Sequence, residues 1–154
     1  MIFDYEVDFW NKGFQLIREA IDRDIMKKYK PILKESAYKI GQKGEVGIIF
    51  DIMGNTAYEF APKEVESKLL QWDRAKIYCG GKIYGDKYDW VLPSKDQLNK
   101  IYNTNKRKFA NEYYWSSSEA NAFGIWVVNL HTGEVSSSLN TSKHKVLPIR
   151  EFEI

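Results

Sequence analysis

Two spacings of apolar residues divide the chain. Between Asp8 and Lys30, Trp10, Phe14, Ile17, Ile21 and Ile25 follow at steps of four, three, four and four, with Gly13, Leu16 and Ala20 beside them. That spacing predicts an amphipathic helix with one broad apolar stripe. Asp8 is placed to cap its start, Lys27, Lys28 and Lys30 sit where the helix dipole favours cations, and Pro31 closes it. From about Tyr38 the spacing becomes alternation. Val46, Ile48, Phe50 and Ile52 fall on one side of a predicted strand, Gly54 and Asn55 make a turn, and residues 56–62 return as the second strand of a hairpin. Residues 66–81 read as a helix with Leu69, Trp72 or Asp73, and Lys76 or Ile77 in register, ended by Gly80 and Gly81. A short helix follows Pro93, where Ser94 and Gln97 have capping-box spacing and Leu98, Ile101 and Tyr102 form the buried side. The remaining residues predict strands at 113–117, 124–130, 134–139 and 145–150, with His131–Glu134 as a hairpin connection. In the second of these, Trp126, Val128 and Leu130 form the expected core face. In the third, Glu134, Ser136, Ser138 and Asn140 form an accessible polar face.

Composition narrows this picture. A chain of 154 residues, 44% apolar and 15% aromatic, is long enough for one globular domain with a real core. Its 23 basic and 21 acidic residues leave a net charge of +2, so no strong field draws it to nucleic acid or an anionic membrane, and neither partner is expected. The lone Cys79 forms no internal disulfide and suits a reducing compartment. The opening MIFDYEVDFW lacks the basic and apolar regions of a secretory signal, and no later run reaches membrane-spanning length. The expectation is a protein made in the cytoplasm and not inserted in a membrane.

Four segments together resemble the Lcl C-terminal domain family, named from Legionella collagen-like proteins. They are DWVLPSKDQL at 89–98, YYWSSSE at 113–119, IWVVNLHTGEV at 125–135 and VLPIRE at 146–151. Trp90, Leu92, Pro93 and Ser94 match that family's helix-capping segment, Tyr114 to Ser117 its sheet-opening segment, Trp126, Asn129 and Gly133 its hairpin, and Pro148 and Arg150 its closing strand. Val91 and Leu147 stand where the family usually has arginine. The resemblance spans roughly residues 38–152. It implies an α+β, C-type lectin-like domain over residues 36–154, with mixed antiparallel sheets and two short helices, preceded by a helical extension at 1–35. Family relatives include ligand-binding domains diversified by retroelements. In such loop-rich domains large rings anchor the chain, each burying area worth about 1.5–3 kcal/mol, and Trp90, Trp115 and Trp126 are the expected anchors. The serine run after Trp115 is expected to satisfy backbone groups at a sheet edge.

The residues argue against catalysis. His131 and His144 are the only histidines, with no HExxH or cysteine cluster to complete a zinc site, and Cys79 alone cannot supply paired-cysteine chemistry. There is no GxSxG elbow and no GxxxxGK[ST] phosphate loop. Calcium-dependent sugar binding would need a carboxylate and carbonyl cluster that no segment supplies. No metal, cofactor or catalytic residue is expected. The basic run NKRKF at 105–109 reads as a solvated loop. What remains is recognition. Phe123 beside small polar residues offers rigid contact area with adaptable hydrogen bonds, so Asn121, Phe123, Ser136, Ser138, Asn140 and Ser142 are the candidate binding residues for a glycan or a protein receptor. Against this stands the slightly favoured expectation that Phe123 is another internal anchor. This recognition module is expected to work as part of a virion or phage-like particle or a homo-oligomer; the alternative function is a purely structural or decoration protein of a larger assembly, docked through Trp10, Phe14, Ile17 and Ile21.

Overall fold

The computed structural model describes residues 37–104 and 109–154. The predicted helix at 8–30, with Trp10, Phe14, Ile17 and Ile21, lies outside the described residues, as does most of the basic run at 105–109. Within them the fold is α+β, with two antiparallel sheets and two α-helices.

Strands β1 (Ile48–Met53) and β2 (Thr56–Phe60) form the predicted hairpin. Its two-residue turn starts at Gly54, whose φ of 59° is the left-handed value that glycine takes without a Cβ penalty. Strict alternation fails inside β1. A bulge between Ile49 and Asp51 inserts Phe50, so Ile48 and Phe50 pack on one side while Ile49 and Ile52 join Ala57 and Phe152 on the other. Ile52 therefore does not share a face with Phe50 as the spacing predicts. The chain then passes through one 3-10 turn (Lys63–Val65) into helix α1 (Trp72–Gly80). This helix is shorter than predicted and rotated: Ala75 and Cys79 are buried, whereas Leu69 and Ile77 are exposed. Burial pushes the Cys79 thiol up to about 12, which suits packing and not reactivity.

Helix α2 (Lys95–Thr104) begins as its sequence predicts. Ser94 N–H donates to Gln97 Oε1 at 2.8 Å and Gln97 N–H donates to Ser94 Oγ at 3.1 Å, the reciprocal capping box. Leu98 and Ile101 point into a core with Phe50, Phe60, Phe109, Tyr114, Val128 and Ile149, which both sheets share. Strands β3 (Tyr113–Glu119), β4 (Gly124–Asn129) and β5 (Val135–Leu139) form the second sheet, in that order. Strand β6 (Ile149–Glu153) pairs with β2 in the first. It starts later than predicted, because residues before it only bridge: His144 to Leu70, and Lys145 to Tyr114.

Strand β4 is buried on both faces, which alternation could not foresee. Val128 faces the α2 core, while Ile125 and Val127 pack with Trp115, Val146, Ala75 and Cys79 on the α1 side. Trp126 is only half-buried, with the Lys95 ammonium 4.8 Å from its ring centroid. Trp90 and Trp115 are the buried anchors; Trp126 is not. The serine run has the expected role. Between the pairs Trp115↔Val127 and Glu119↔Ile125, residues Ser116, Ser117 and Ser118 oppose Trp126 alone, so the serines are a bulge. Buried Ser116 Oγ donates to the Trp126 carbonyl at 2.6 Å, and Ser118 Oγ accepts from Lys95 N–H at 3.0 Å. The bulge thus ties the sheet to the start of α2.

A buried charge joins both ends of this unit. Arg150 on β6 donates Nε to Asp89 Oδ1 at 2.7 Å, Nη2 to Asp89 Oδ2 at 3.1 Å, and Nη1 to both Glu45 Oε2 at 2.7 Å and Glu59 Oε1 at 2.9 Å. Lys87 lies 2.8 Å from the same Glu45 oxygen. Bonds from Lys87 and then Arg150 hold the Glu45 carboxyl below its ordinary 4.5, and Arg150 holds Asp89 below its ordinary 3.8. Burial holds His144 below its ordinary 6.5.

Each depressed value has a sign. A carboxylate with a lowered native pKa contributes stability that is present above its unfolded value and lost as pH falls through the native one. A histidine held neutral by burial loses stability as pH falls through its unfolded value, because the unfolded chain takes the proton first. Unfolding free energy should therefore be flat between about pH 7 and 8, decline gently from 6.5 downward as His144 titrates, fall steeply below 4.5 as Glu45 and then Asp89 protonate, and fall again above 9.0, where the unfolded chain ionises Cys79 first. Urea midpoints against pH check this, and His144→Gln should remove the upper decline while leaving the lower one.

Candidate binding surface

The β3–β4 connection is built around one side chain. Asn121 Oδ1 accepts from Phe123 N–H at 3.1 Å and from Gly124 N–H at 2.8 Å, an amide mimicking a backbone turn. A Cβ at Gly124 would lie 2.9 Å from Asn121 Oδ1, so a larger residue there would displace the amide that holds the turn. Ala120 and Asn121 N–H both donate to the Gly124 carbonyl, so the turn is closed from both sides. The ring it carries, Phe123, is 69% exposed. Phe123 is thus not an internal anchor, and the Asn121 side chain is spent holding the loop.

The neighbouring strand presents the opposite face from the one expected. Register places Leu139 beside Gly124, Ser137 beside Trp126 and Val135 beside Val128; Ser138 pairs with Ile125 and Ser136 with Val127. Ser136 and Ser138 therefore lie on the α1 side and are half-buried, and Ser138 Oγ is 2.8 Å from His144 Nε2. His144 in turn packs edge-on against Trp115 at 4.6 Å. The apolar positions are the open ones: Leu139 is 59% and Val135 39% exposed. The α2 helix covers Val128 and, through Lys95, the Trp126 ring, but leaves this edge strand uncovered. Asn140 and Ser142 are half-buried at the end of β5. Asn140 N–H donates to the Phe123 carbonyl at 3.0 Å, its carbonyl accepts from Trp72 N–H at 3.2 Å, and Ser142 N–H donates to the Leu139 carbonyl at 2.9 Å. These bonds fix the Phe123 loop to β5 and to the start of α1.

All of this surface lies within residues 63–150, which match the family model described as Domain of unknown function (DUF8780) over more than half of the chain. The chain belongs to the DUF8780 family. Among curated proteins none matches it. The crystal structure of botrocetin is similar to this chain at a TM-score of 0.40 and 11% identity, covering 68% of this chain and 95% of that one. The DUF8780 segment contains both helices, β3, β4, β5 and the first two residues of β6. It ends at Arg150, so the guanidinium and Asp89 fall within it while Glu45 and Glu59 are supplied by the hairpin region before it.

Of the six candidate residues, the fold brings Asn121, Phe123 and Asn140 together at one rim. Ser136 and Ser138 are turned toward His144 and α1. The spacing of residues did not single out Val135 and Leu139 as surface. An alternating strand in isolation gives no sign of which face a second layer covers, and only the two-sided burial of β4 decides it. No helix among the described residues is long and apolar enough to cross a membrane.

Proposed function

We propose that the domain is a non-enzymatic recognition module of the C-type lectin-like kind, which binds a glycan or protein surface through the Phe123 loop and the adjoining face of β5. The observation that carries this reading is the Phe123 ring, 69% exposed on a turn fixed by Asn121 and Asn140. A large ring kept in water forgoes the stabilisation that burial would give, and a turn already locked by hydrogen bonds loses little further freedom on contact. Leu139 and Val135 extend its apolar character along β5, which favours a protein patch over a sugar. The order of motifs at 89–98, 113–119, 125–135 and 146–151, resembling the Lcl C-terminal domain, supports the lectin-like reading.

Phe123→Ser should weaken attachment to cells or to glycan-array ligands by about thirtyfold, the effect of losing a central aromatic contact, with the thermal midpoint unchanged. Asn121→Ala should weaken it less, by loosening the turn. Attachment that survives Phe123→Ser in a folded protein rejects the reading. So does turnover of a small compound that one side-chain change abolishes.

A further inference from the structure

Among the described residues strand β5 is the free edge of its sheet, and its sequence is self-complementary. Asn129 N–H donates to the Glu134 carbonyl at 2.8 Å and Asn140 N–H donates to the Phe123 carbonyl at 3.0 Å. Bonded pairs alternate along an antiparallel ladder, so Val127–Ser136 and Ile125–Ser138 are the bonded pairs between them. Val135, Ser137 and Leu139 consequently turn their N–H and C=O groups away from β4. Among the described residues the one backbone partner on that side is Ser142, whose N–H reaches the Leu139 carbonyl at 2.9 Å. Natural edges are protected by charges, prolines, bulges or a covering element. Val-Ser-Ser-Ser-Leu has no charge or proline, and its pairing with β4 runs without a bulge.

We propose that β5 pairs antiparallel with β5 of a second copy, in register about Ser137, joining two three-stranded sheets into one. The sequence reads nearly the same in both directions about that residue, as a two-fold interface requires. Ser137 then faces the partner's Ser137 with two reciprocal N–H to C=O bonds. Val135 faces the partner's Leu139, and Leu139 N–H donates to the partner's Val135 carbonyl, leaving the bond from Ser142 in place. The exposed Val135 and Leu139 side chains become cross-strand apolar pairs on the face that carries Trp126. The contact is small, so the dimer is weak and concentration-dependent, and its two Phe123 loops lie at opposite ends of the new strand pair. Low affinity at each loop would thereby be raised by bivalency.

Sedimentation velocity on the full chain, from micromolar to near-millimolar protein, tests this. The wild type should pass from monomer to dimer. Ser137→Lys places two ammonium groups across the axis from an exposed position and should raise the dissociation constant at least about tenfold. Ser137→Pro removes an outward N–H without touching the β4 ladder and should abolish the dimer. Ser117→Lys, an exposed serine on β3, should leave it unchanged. Tryptophan fluorescence verifies folding of each variant, and Ser137→Lys decides the matter if the proline variant does not fold. A wild type that stays monomeric, a dimer that Ser137→Lys leaves intact, or equal dissociation by Ser117→Lys overturns the proposal. Phe123→Ser should retain the dimer, so failure of the binding reading and failure of the pairing are separate results.

Discussion

Replacing Arg150 with alanine should lower the unfolding free energy by about 3–5 kcal/mol, the cost of stranding one member of a buried ion pair. The guanidinium is 5% exposed and its partner Glu59 is fully buried. Without the arginine, Glu59 keeps two donors, Val46 N–H at 3.1 Å and Gly47 N–H at 2.9 Å, both to Oε2, and its other oxygen loses Arg150. The surrounding chain cannot close over the gap cheaply. A Cβ at Gly44 would lie 2.2 Å from Glu59 Oε2, so the backbone there is already held close against the carboxylate, and one at Gly47 would lie 2.0 Å from the Phe60 carbonyl oxygen, so the same loop is also pressed onto β2. Domains of this size have about 5–15 kcal/mol in total, so the variant would sit near the unfolding threshold. Arg150→Lys should recover only part, because an ammonium cannot reproduce the two-pronged contact with Asp89 and reach Glu59 as well. Arg150→Met combined with Glu59→Gln should be milder than Arg150→Ala, since it removes the stranded charge and keeps an acceptor for the two backbone donors. Denaturant midpoints rank the three variants. A ranking in which the double variant is worst would mean that the charges themselves, and not their mutual satisfaction, stabilise the unit.

The reach of sequence reasoning follows from which interactions are local. The capping box at Ser94 and Gln97 and the Gly54 turn are set by neighbours within four residues, and both stand in the structure as the spacing predicts. The serine run is half local: its polar role follows from composition, but that it forms a bulge anchoring α2 depends on register with β4. Faces are where spacing fails. The β1 bulge moves Ile52 across the strand, two-sided burial makes Ile125 and Val127 core, and α1 turns Ala75 and Cys79 inward in place of Leu69 and Ile77. Each of these is decided by a layer remote in sequence. The Arg150 cage was illegible for the same reason, since its carboxylates come from positions 45, 59 and 89. At the surface, the exposed Phe123 could be picked out by its polar neighbours, whereas the openness of Val135 and Leu139 depends on which strands the remote layer covers.

The two tryptophans of the β3–β4 sheet should respond very differently to truncation, and the difference measures that two-sided burial. Trp115→Ala should cost about 3–5 kcal/mol, the range for emptying a large aromatic site in a packed core. Its ring is fully buried among Ile125, Val127 and Val146, and its indole N–H donates to the Leu70 carbonyl at 2.6 Å. Removing it opens a cavity, leaves that carbonyl with only the His144 N–H at 3.0 Å as a donor and withdraws the edge-on support of His144, whose imidazole would then meet water. The upper step of the pH profile should accordingly shrink in this variant. Trp126→Ala should cost about 1 kcal/mol, because a half-buried ring under the Lys95 ammonium gives up a modest area and one cation–π contact. Phe60 and Leu98 belong to the separate α2-side core, so their packing is spared by either change. Equal losses for Trp115 and Trp126 would mean that the Trp126 face is as deeply buried as the Trp115 face. In that case the exposed row of Val135, Ser137 and Leu139 would have to be inside, and neither the proposed binding rim nor the β5 edge pairing could stand.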